Sequence, residues 1–246
     1  MNGMIFAAGL GTRLAPLTNT KPKALIEVGG EPLLAGALDN LVMYGVNNIV
    51  VNVHHFASQV IDFIDENRDQ WEADIVISDE SDLLLDTGGG LVKALPLFPD
   101  DSFIVTCNAD VFCDANLAEL IEAHKNSHSD ATLMTSRRHS TRHLIFDADG
   151  TLCGWENTAT ADRRMSRDAE PVYCEAFNGF HIIEQDLVRS FIPEGEAVRP
   201  LPIVSAYLEA AKTRRINRWL MPDDCHWFDV GTVEKLRAVE EFFRNL

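Results

Sequence analysis

Over residues 3–127 short apolar runs alternate with longer segments of helical period, and this alternation narrows the available folds more than any other feature of the chain. Residues 3–8, 48–53, 74–78 and 102–107 are compact runs with apolar side chains at successive positions. Residues 32–44, 57–67, 87–95 and 116–127 instead repeat their apolar positions at helical spacing, as with Leu33, Ala37, Leu41 and Tyr44, or Val60, Ile61 and Ile64. Strands apolar on both faces, each followed by a helix, predict an α/β fold built on a largely parallel sheet covered on both sides.

The second half changes character. Residues 131–136, 143–146, 174–183, 216–220 and 227–230 read as strands, and 184–191, 202–212 and 233–243 as helices. The Asp147-Ala-Asp-Gly150 turn predicts a hairpin into a strand over 151–155. Residues 156–171 are polar and charged and read as a mobile loop over a site. No shift of composition marks a boundary, so a single domain over 1–246 is expected.

Charge excludes whole classes of function. The net charge of −17 opposes a general nucleic-acid or anionic-membrane surface, because phosphate backbones would be repelled. The five cysteines form no CxxC pair and fit reduced thiols better than a disulfide framework. The N-terminal apolar stretch lacks a basic leader and is interrupted by Gly9, Gly11 and Arg13, so it reads as a strand and not a signal peptide. A cytoplasmic protein, monomer or homodimer, is expected.

Against this acidic background one window stands apart. Phe6-Ala-Ala-Gly-Leu-Gly-Thr-Arg-Leu-Ala-Pro-Leu-Thr18 leads to Pro22-Lys23 and then to Val28-Gly-Gly-Glu-Pro32, and residues 1–26 contain no Asp or Glu but do contain Arg13, Lys21 and Lys23. Backbone amides freed by glycine and ringed by cations make a cradle for a polyphosphate. A P-loop requires GxxxxGK[ST], which is absent. A dinucleotide fingerprint requires a third glycine and an immediate helix, whereas here Leu14, Pro16 and Pro22 follow Gly9 and Gly11.

The combination A-A-G-x-G-T-R-L…P-L-T…P-K-x-L resembles the signature of the sugar-1-phosphate nucleotidylyltransferases, also called NDP-sugar pyrophosphorylases. Three later segments extend the resemblance in order: Leu85-Asp-Thr-Gly-Gly-Gly-Leu-Val-Lys-Ala94, Val105-Thr-Cys-Asn-Ala-Asp110 and Trp227-Phe-Asp-Val-Gly-Thr232. The length resembles that of the short members, the N-acetylmuramate 1-phosphate uridylyltransferases and mannose-1-phosphate guanylyltransferase-like proteins.

The resemblance implies a Rossmann-like three-layer α/β/α sandwich with a mixed, mostly parallel sheet, and a reaction in which a sugar 1-phosphate attacks the α-phosphorus of a nucleoside triphosphate. It implies that Gly9, Gly11 and Thr12 approach the triphosphate, that Arg13 and Lys23 neutralise it, and that Asp110 and Asp229 hold Mg²⁺. Ala7, Ala8, Thr87 and Gly88 would flank the base, and Glu175, Asn178 and Gly179 the sugar. Two departures accompany it. The family's glutamine upstream of the Thr87 turn is replaced by Ser78-Asp-Glu-Ser-Asp82, and its Glu-Lys-Pro segment by Gly154-Trp-Glu-Asn-Thr158, with Arg163, Arg164 or Arg167 as stand-ins for the missing lysine.

UTP with an N-acetylated sugar 1-phosphate is the first substrate reading, and GTP with mannose 1-phosphate the next. A phosphocholine-type cytidylyltransferase and a non-catalytic nucleotide-sugar sensor remain as alternatives. His124 with His128, and His139 with His143, have i, i+4 spacing but no third ligand, and read as solvated faces.

Overall fold

The computed structural model describes residues 1–244. Its strands, in chain order, are β1 (Asn2–Phe6), β2 (Glu27–Val28), β3 (Glu31–Pro32), β4 (Asn48–Val53), β5 (Asp74–Asp79), β6 (Ile104–Asn108), β7 (Val111–Cys113), β8 (Ala131–Ser136), β9 (Arg142–Phe146), β10 (Leu152–Asn157), β11 (Asp162–Met165), β12 (Tyr173–Ile183), β13 (Ile216–Leu220) and β14 (Trp227–Asp229). The helices are α1 (Leu33–Met43), α2 (Ala57–Asn67), α3 (Asp86–Ala94), α4 (Leu117–Ser127), α5 (Gln185–Arg189), α6 (Ile203–Ala210) and α7 (Val233–Arg244).

The central sheet is mixed. Strands β6, β1, β4 and β5 lie side by side and parallel, Met4 standing opposite Val50 on one side and Thr106 on the other. Strand β12 runs antiparallel to β6, β8 and β9, and β13 pairs parallel with β8. The α/β architecture expected from the alternating pattern is present.

The parallel half is apolar on both faces for a visible reason. Met4 and Phe6 of β1 enter one core with Val50, Ile104 and Tyr207, while Ile5 and Ala7 enter the other with Ile49, Val51, Leu34 and Val105. Each fully buried aliphatic side chain contributes about 1.5–3 kcal/mol, so a polar residue at any of these positions would need a specific partner. Asn52 of β4 is the informative exception, and it lies at the site described below.

Two sequence expectations are corrected. Residues 156–171 are not a loop throughout: β10 continues to Asn157 and pairs with β11, placing Trp155 opposite Arg164 and Glu156 opposite Arg163. The hairpin is held by its hydrogen-bond ladder, and its polar edge strand, Asp-Arg-Arg-Met, gave no apolar alternation to read. His124 is not solvated; it is 2% exposed, its Nδ1 lies 2.9 Å from Thr132 Oγ1 and its Nε2 3.1 Å from Glu184. Burial holds its pKa below the usual histidine range, with Glu184 opposing the shift. The Asp147–Gly150 turn does form, with Gly150 N–H donating to Asp147 O.

A second buried histidine yields a test of the fold. His181 on β12 is packed among Phe6, Phe177 and Tyr207, and both ring nitrogens and the Tyr207 hydroxyl lack hydrogen-bond partners. Burial pushes its pKa down from 6.5 to about 3. The unfolded chain therefore takes up a proton that the folded chain refuses. The stability involved is fully present above pH 6.5 and is lost as pH falls towards 3. Replacing His181 with Phe should flatten the acid limb of urea-unfolding free energy between those limits; identical slopes for both proteins would remove His181 from the account.

Candidate active site

The carboxyl ends of the parallel strands open on a cleft of ≈ 420 Å³ lined by the β1 end and loop (Phe6–Arg13), Lys23, Ala24, Asn52, Glu80, Leu84, Asp86, Thr87, Asn108, Ala109, Asp110 and Gly231. Open α/β sheets bind ligands at this edge. The loop is not a helix. Three short 3₁₀ turns, Thr12–Leu14, Leu17–Asn19 and Lys23–Leu25, carry it past the prolines. Gly11 adopts a left-handed φ, and its carbonyl accepts from Leu14 N–H and Thr18 Oγ1, each at 2.9 Å.

The loop is anchored from beneath. Leu14, fully buried, packs with Ile26, Val28 and Leu33 against Val230 and against Leu236 and Val239 of α7. Arg13, one residue earlier, stays exposed at the cleft.

Asp110 lies in the two-residue turn between β6 and β7, and Lys23 Nζ bonds its Oδ2. Strand β14 pairs antiparallel with β7, which sets Asp229 opposite Val111, and Val230 N–H donates to Asp110 O at 2.8 Å. The two aspartates, far apart in sequence, are thus brought together, Asp110 in the turn that leads into β7 and Asp229 on β14. Lys235 Nζ bonds Asp229 Oδ2. Gly231 keeps the junction open: a Cβ there would stand 2.5 Å from Asp229 Oδ1 and 3.0 Å from Arg13 Nη2. Among the described residues no group of three or more His, Cys, Asp and Glu side chains converges as a metal cage.

The opposite wall rests on a buried polar chain. Asn52 Oδ1 accepts from Ala7 N–H at 2.8 Å, and Asn52 Nδ2 donates to Glu80 Oε1 at 2.8 Å. Glu80 Oε2 accepts from Leu85 N–H at 3.0 Å, and Glu80 is fully buried. This chain ties the Ala7–Ala8 strand end to the Leu85–Thr87 wall across the sheet.

The structure brings Ala7, Ala8, Gly9, Gly11, Thr12, Arg13, Lys23, Thr87 and Asp110 to one cleft, with Asp229 beside it. It does not bring Gly88 there. That glycine is buried, and its N–H donates to Leu201 O at 2.8 Å, where the 199–203 segment covers the start of α3.

Nor do the three sugar candidates line the cleft. Glu175 is buried in an ion pair with Arg218 and accepts from Thr135 Oγ1 at 2.6 Å. Asn178 is buried and accepts from Ser136 Oγ at 2.9 Å. Gly179 has φ +83 at the register shift of β12, where a Cβ would meet Asn108 Nδ2 at 2.8 Å. Arg163, Arg164 and Arg167 also lie off the cleft, directed to Glu156, Asp162 and Asp147.

The sequence reading missed Asn52, Glu80, Gly231 and Lys235. For Asn52 a signal existed: a lone amide inside the otherwise apolar Ile49-Val-Val-Asn-Val53.

A model of the nucleotidyl transferase family matches residues 2–144, which include the glycine-rich loop and Asp110. The chain belongs to that family. Asp229 lies beyond the matched stretch, so its place in this nucleotidyl transferase comes from the β7–β14 pairing. Among curated proteins the chain is 38% identical over 247 residues to the N-acetylmuramate alpha-1-phosphate uridylyltransferase of Caulobacter vibrioides, covering 96% of this chain and 94% of that protein. It is 29% identical over 231 residues to the mannose-1-phosphate guanyltransferase of Yarrowia lipolytica, covering 94% of this chain but only 61% of that protein's length.

Among solved structures, a putative glucose-1-phosphate thymidylyltransferase from Bacillus anthracis matches with a TM-score of 0.81 at 17% identity, over 100% of this chain and 96% of that one. HddC from Yersinia pseudotuberculosis matches with 0.76 at 19% identity, over 98% and 99%. At such identities the structural likeness establishes the fold. No helix among the described residues is long and apolar enough to cross a membrane.

Proposed function

We propose that this nucleotidyl transferase moves a nucleotidyl group from a nucleoside triphosphate to a sugar 1-phosphate, releasing pyrophosphate. The observation that carries the reading is the approach of Asp110, in the turn before β7, to Asp229 on the paired strand β14, beside a glycine-rich cleft that also presents Arg13 and Lys23. In an acidic chain, four cations (Arg13, Lys23 and Lys235 at the two carboxylates, with Arg138 under the influence of Asp229) gather at one place. Polyanionic substrates account for that concentration better than fold stability does.

An oxygen of the sugar phosphate attacks the α-phosphorus; that P–O bond forms as the bond to the bridging β-oxygen breaks, and pyrophosphate leaves. The protein's task is alignment and charge neutralisation. Backbone amides at Gly9 and Gly11 take phosphate oxygens, Arg13 spans the departing pyrophosphate with its planar fork, and Lys23 places a compact charge beside the reacting centre.

Mg²⁺ fits the donor set. It takes one or two carboxylates and completes its shell with substrate phosphates and water, and a pair of hard oxygen donors is what Asp110 and Asp229 offer. Bound there, it would polarise the α-phosphate and screen the leaving group.

For substrates we favour UTP with an N-acetylated sugar 1-phosphate. The support is the near full-length likeness to the Caulobacter uridylyltransferase, against partial coverage of the Yarrowia guanyltransferase. The test is pyrophosphate release with Mg²⁺ from each nucleoside triphosphate paired with N-acetylmuramate, N-acetylglucosamine, glucose and mannose 1-phosphates, and with phosphocholine. Release is expected to be greatest with UTP and an N-acetylated sugar. Preference for CTP and phosphocholine would replace the substrate class, and no release from any pair would turn the reading to a nucleotide-sugar sensor.

A further inference from the structure

We propose that Arg138 receives the phosphate of the sugar 1-phosphate. The inference rests on the reaction proposed above. That reaction brings two polyanions to one aspartate pair. Arg13, Lys23 and the glycine-rich loop approach the pair from the triphosphate side. A second anion needs its own cation, close to Asp229 and not already neutralised.

Five other arginines of the second half face acids. Arg218 is paired with Glu175 and lies over Tyr173, Arg163 and Arg164 face acids of their own hairpin, and Arg167 bonds Asp147 at 2.7 Å. Arg137 is exposed and points to Asp223 at 3.7 Å. Arg138 differs from all of these. Its guanidinium carbon lies 4.0 Å over the Trp227 ring, its Nε donates to Asn178 Oδ1 at 3.2 Å and its Nη2 to Phe177 O at 2.9 Å. None of these partners carries a charge, so the group is oriented without being neutralised.

The orientation is shared with the aspartate. Trp227 and Asp229 are alternate residues of β14 and so project to one side of it. Trp227 is itself fixed by donating from Nε1 to Asn178 O at 2.8 Å. Burial pushes the Arg138 pKa down, and the charge of Asp229 opposes that shift.

Of the five N–H donors on a guanidinium, two are occupied here, leaving both Nη1 hydrogens and one on Nη2 for an anion. A recess of ≈ 330 Å³ whose lining includes Ser136, Arg137, Arg138, Met221, Asp223 and Trp227 adjoins this group and offers room for a sugar ring. Asn178 thereby acquires a role other than direct sugar contact: it positions Arg138 through its side chain and Trp227 through its carbonyl.

Calorimetric titration of the intact protein with N-acetylmuramate 1-phosphate, N-acetylglucosamine 1-phosphate and mannose 1-phosphate tests the assignment separately from turnover. Losing a charge-assisted hydrogen bond to phosphate should weaken whichever of these the wild type binds by at least about tenfold in Arg138→Ala, with nucleotide affinity and Tm unchanged. Arg138→Lys, which keeps the charge but not the fork, should fall between. Equal sugar-phosphate affinity in wild type and Arg138→Ala overturns the proposal, as does parallel loss of nucleotide affinity and Tm. A loss confined to N-acetylmuramate 1-phosphate, which alone of the three carries a carboxylate, overturns the phosphate assignment. If the wild type binds sugar phosphates through Arg138 yet releases no pyrophosphate, the proposed reaction fails and this site stands. Wild type binding none of the three removes both the site and its premise.

Discussion

Asp110→Asn should lower kcat for pyrophosphate release by at least about 10²-fold while leaving the fold intact, because the change removes one charge from the transferring centre and almost no volume. The side chain projects from the end of β6, outside both cores, and its backbone carbonyl still accepts from Val230 N–H whichever side chain is present. The β7–β14 pairing that presents Asp229 is therefore retained. The measurement is steady-state turnover together with thermal unfolding. Wild-type turnover in a folded Asp110→Asn protein would remove Asp110 from the chemistry and with it the two-carboxylate metal proposal. Raised Mg²⁺ should recover part of the loss if metal affinity, and not only charge at the transition state, is what the substitution weakens.

Lys23→Ala should cost a similar factor, at least about 10²-fold in kcat, for a complementary reason. Lys23 is paired with Asp110 and little exposed, so its charge is held beside the proposed reacting centre. In the proposed reaction a triphosphate would compete for the same ammonium and, by withdrawing it, free the carboxylate for a cation, so that loading the loop and arming Asp110 would be one event. This predicts non-additivity: the double variant Lys23→Ala, Asp110→Asn should be no worse than about tenfold below the poorer single variant, as expected of residues acting as a unit. Fully multiplicative losses would show that the two act separately, and the exchange of partners would have to be abandoned.

What could be read in advance was what is local. The glycine, proline and cation spacing of residues 9–23 is a property of consecutive residues, and the loop adopts turns where prolines forbid a helix. Asp110 and Asp229 each end a short apolar run, a pattern visible without knowing the other. What could not be read depends on who faces whom. Glu80 looks like one more surface acid in Ser78-Asp-Glu-Ser-Asp82, and only the approach of Asn52 and the Leu85 amide makes it a buried strut. Glu175 looked like a hydroxyl ligand because Arg218, distant in sequence, was not yet beside it. Arg138 shared a doublet with Arg137, and the doublet gave no sign that one partner is exposed while the other stacks on Trp227.

The small apolar cluster under the glycine-rich loop has a consequence for how this protein is made. Leu14 finds its packing partners in Val230, Leu236 and Val239, at the opposite end of the described chain. During synthesis the glycine-rich loop and its neighbours Ile26, Val28 and Leu33 emerge among the first residues, whereas the β14 and α7 side of the cluster emerges only with the last. The ladder joining β6, β1, β4 and β5 and the Asn52–Glu80 link, by contrast, are made between residues that all precede residue 109. The links at Glu80 are thus available early in synthesis, whereas the glycine-rich loop gains its last packing partners near the end.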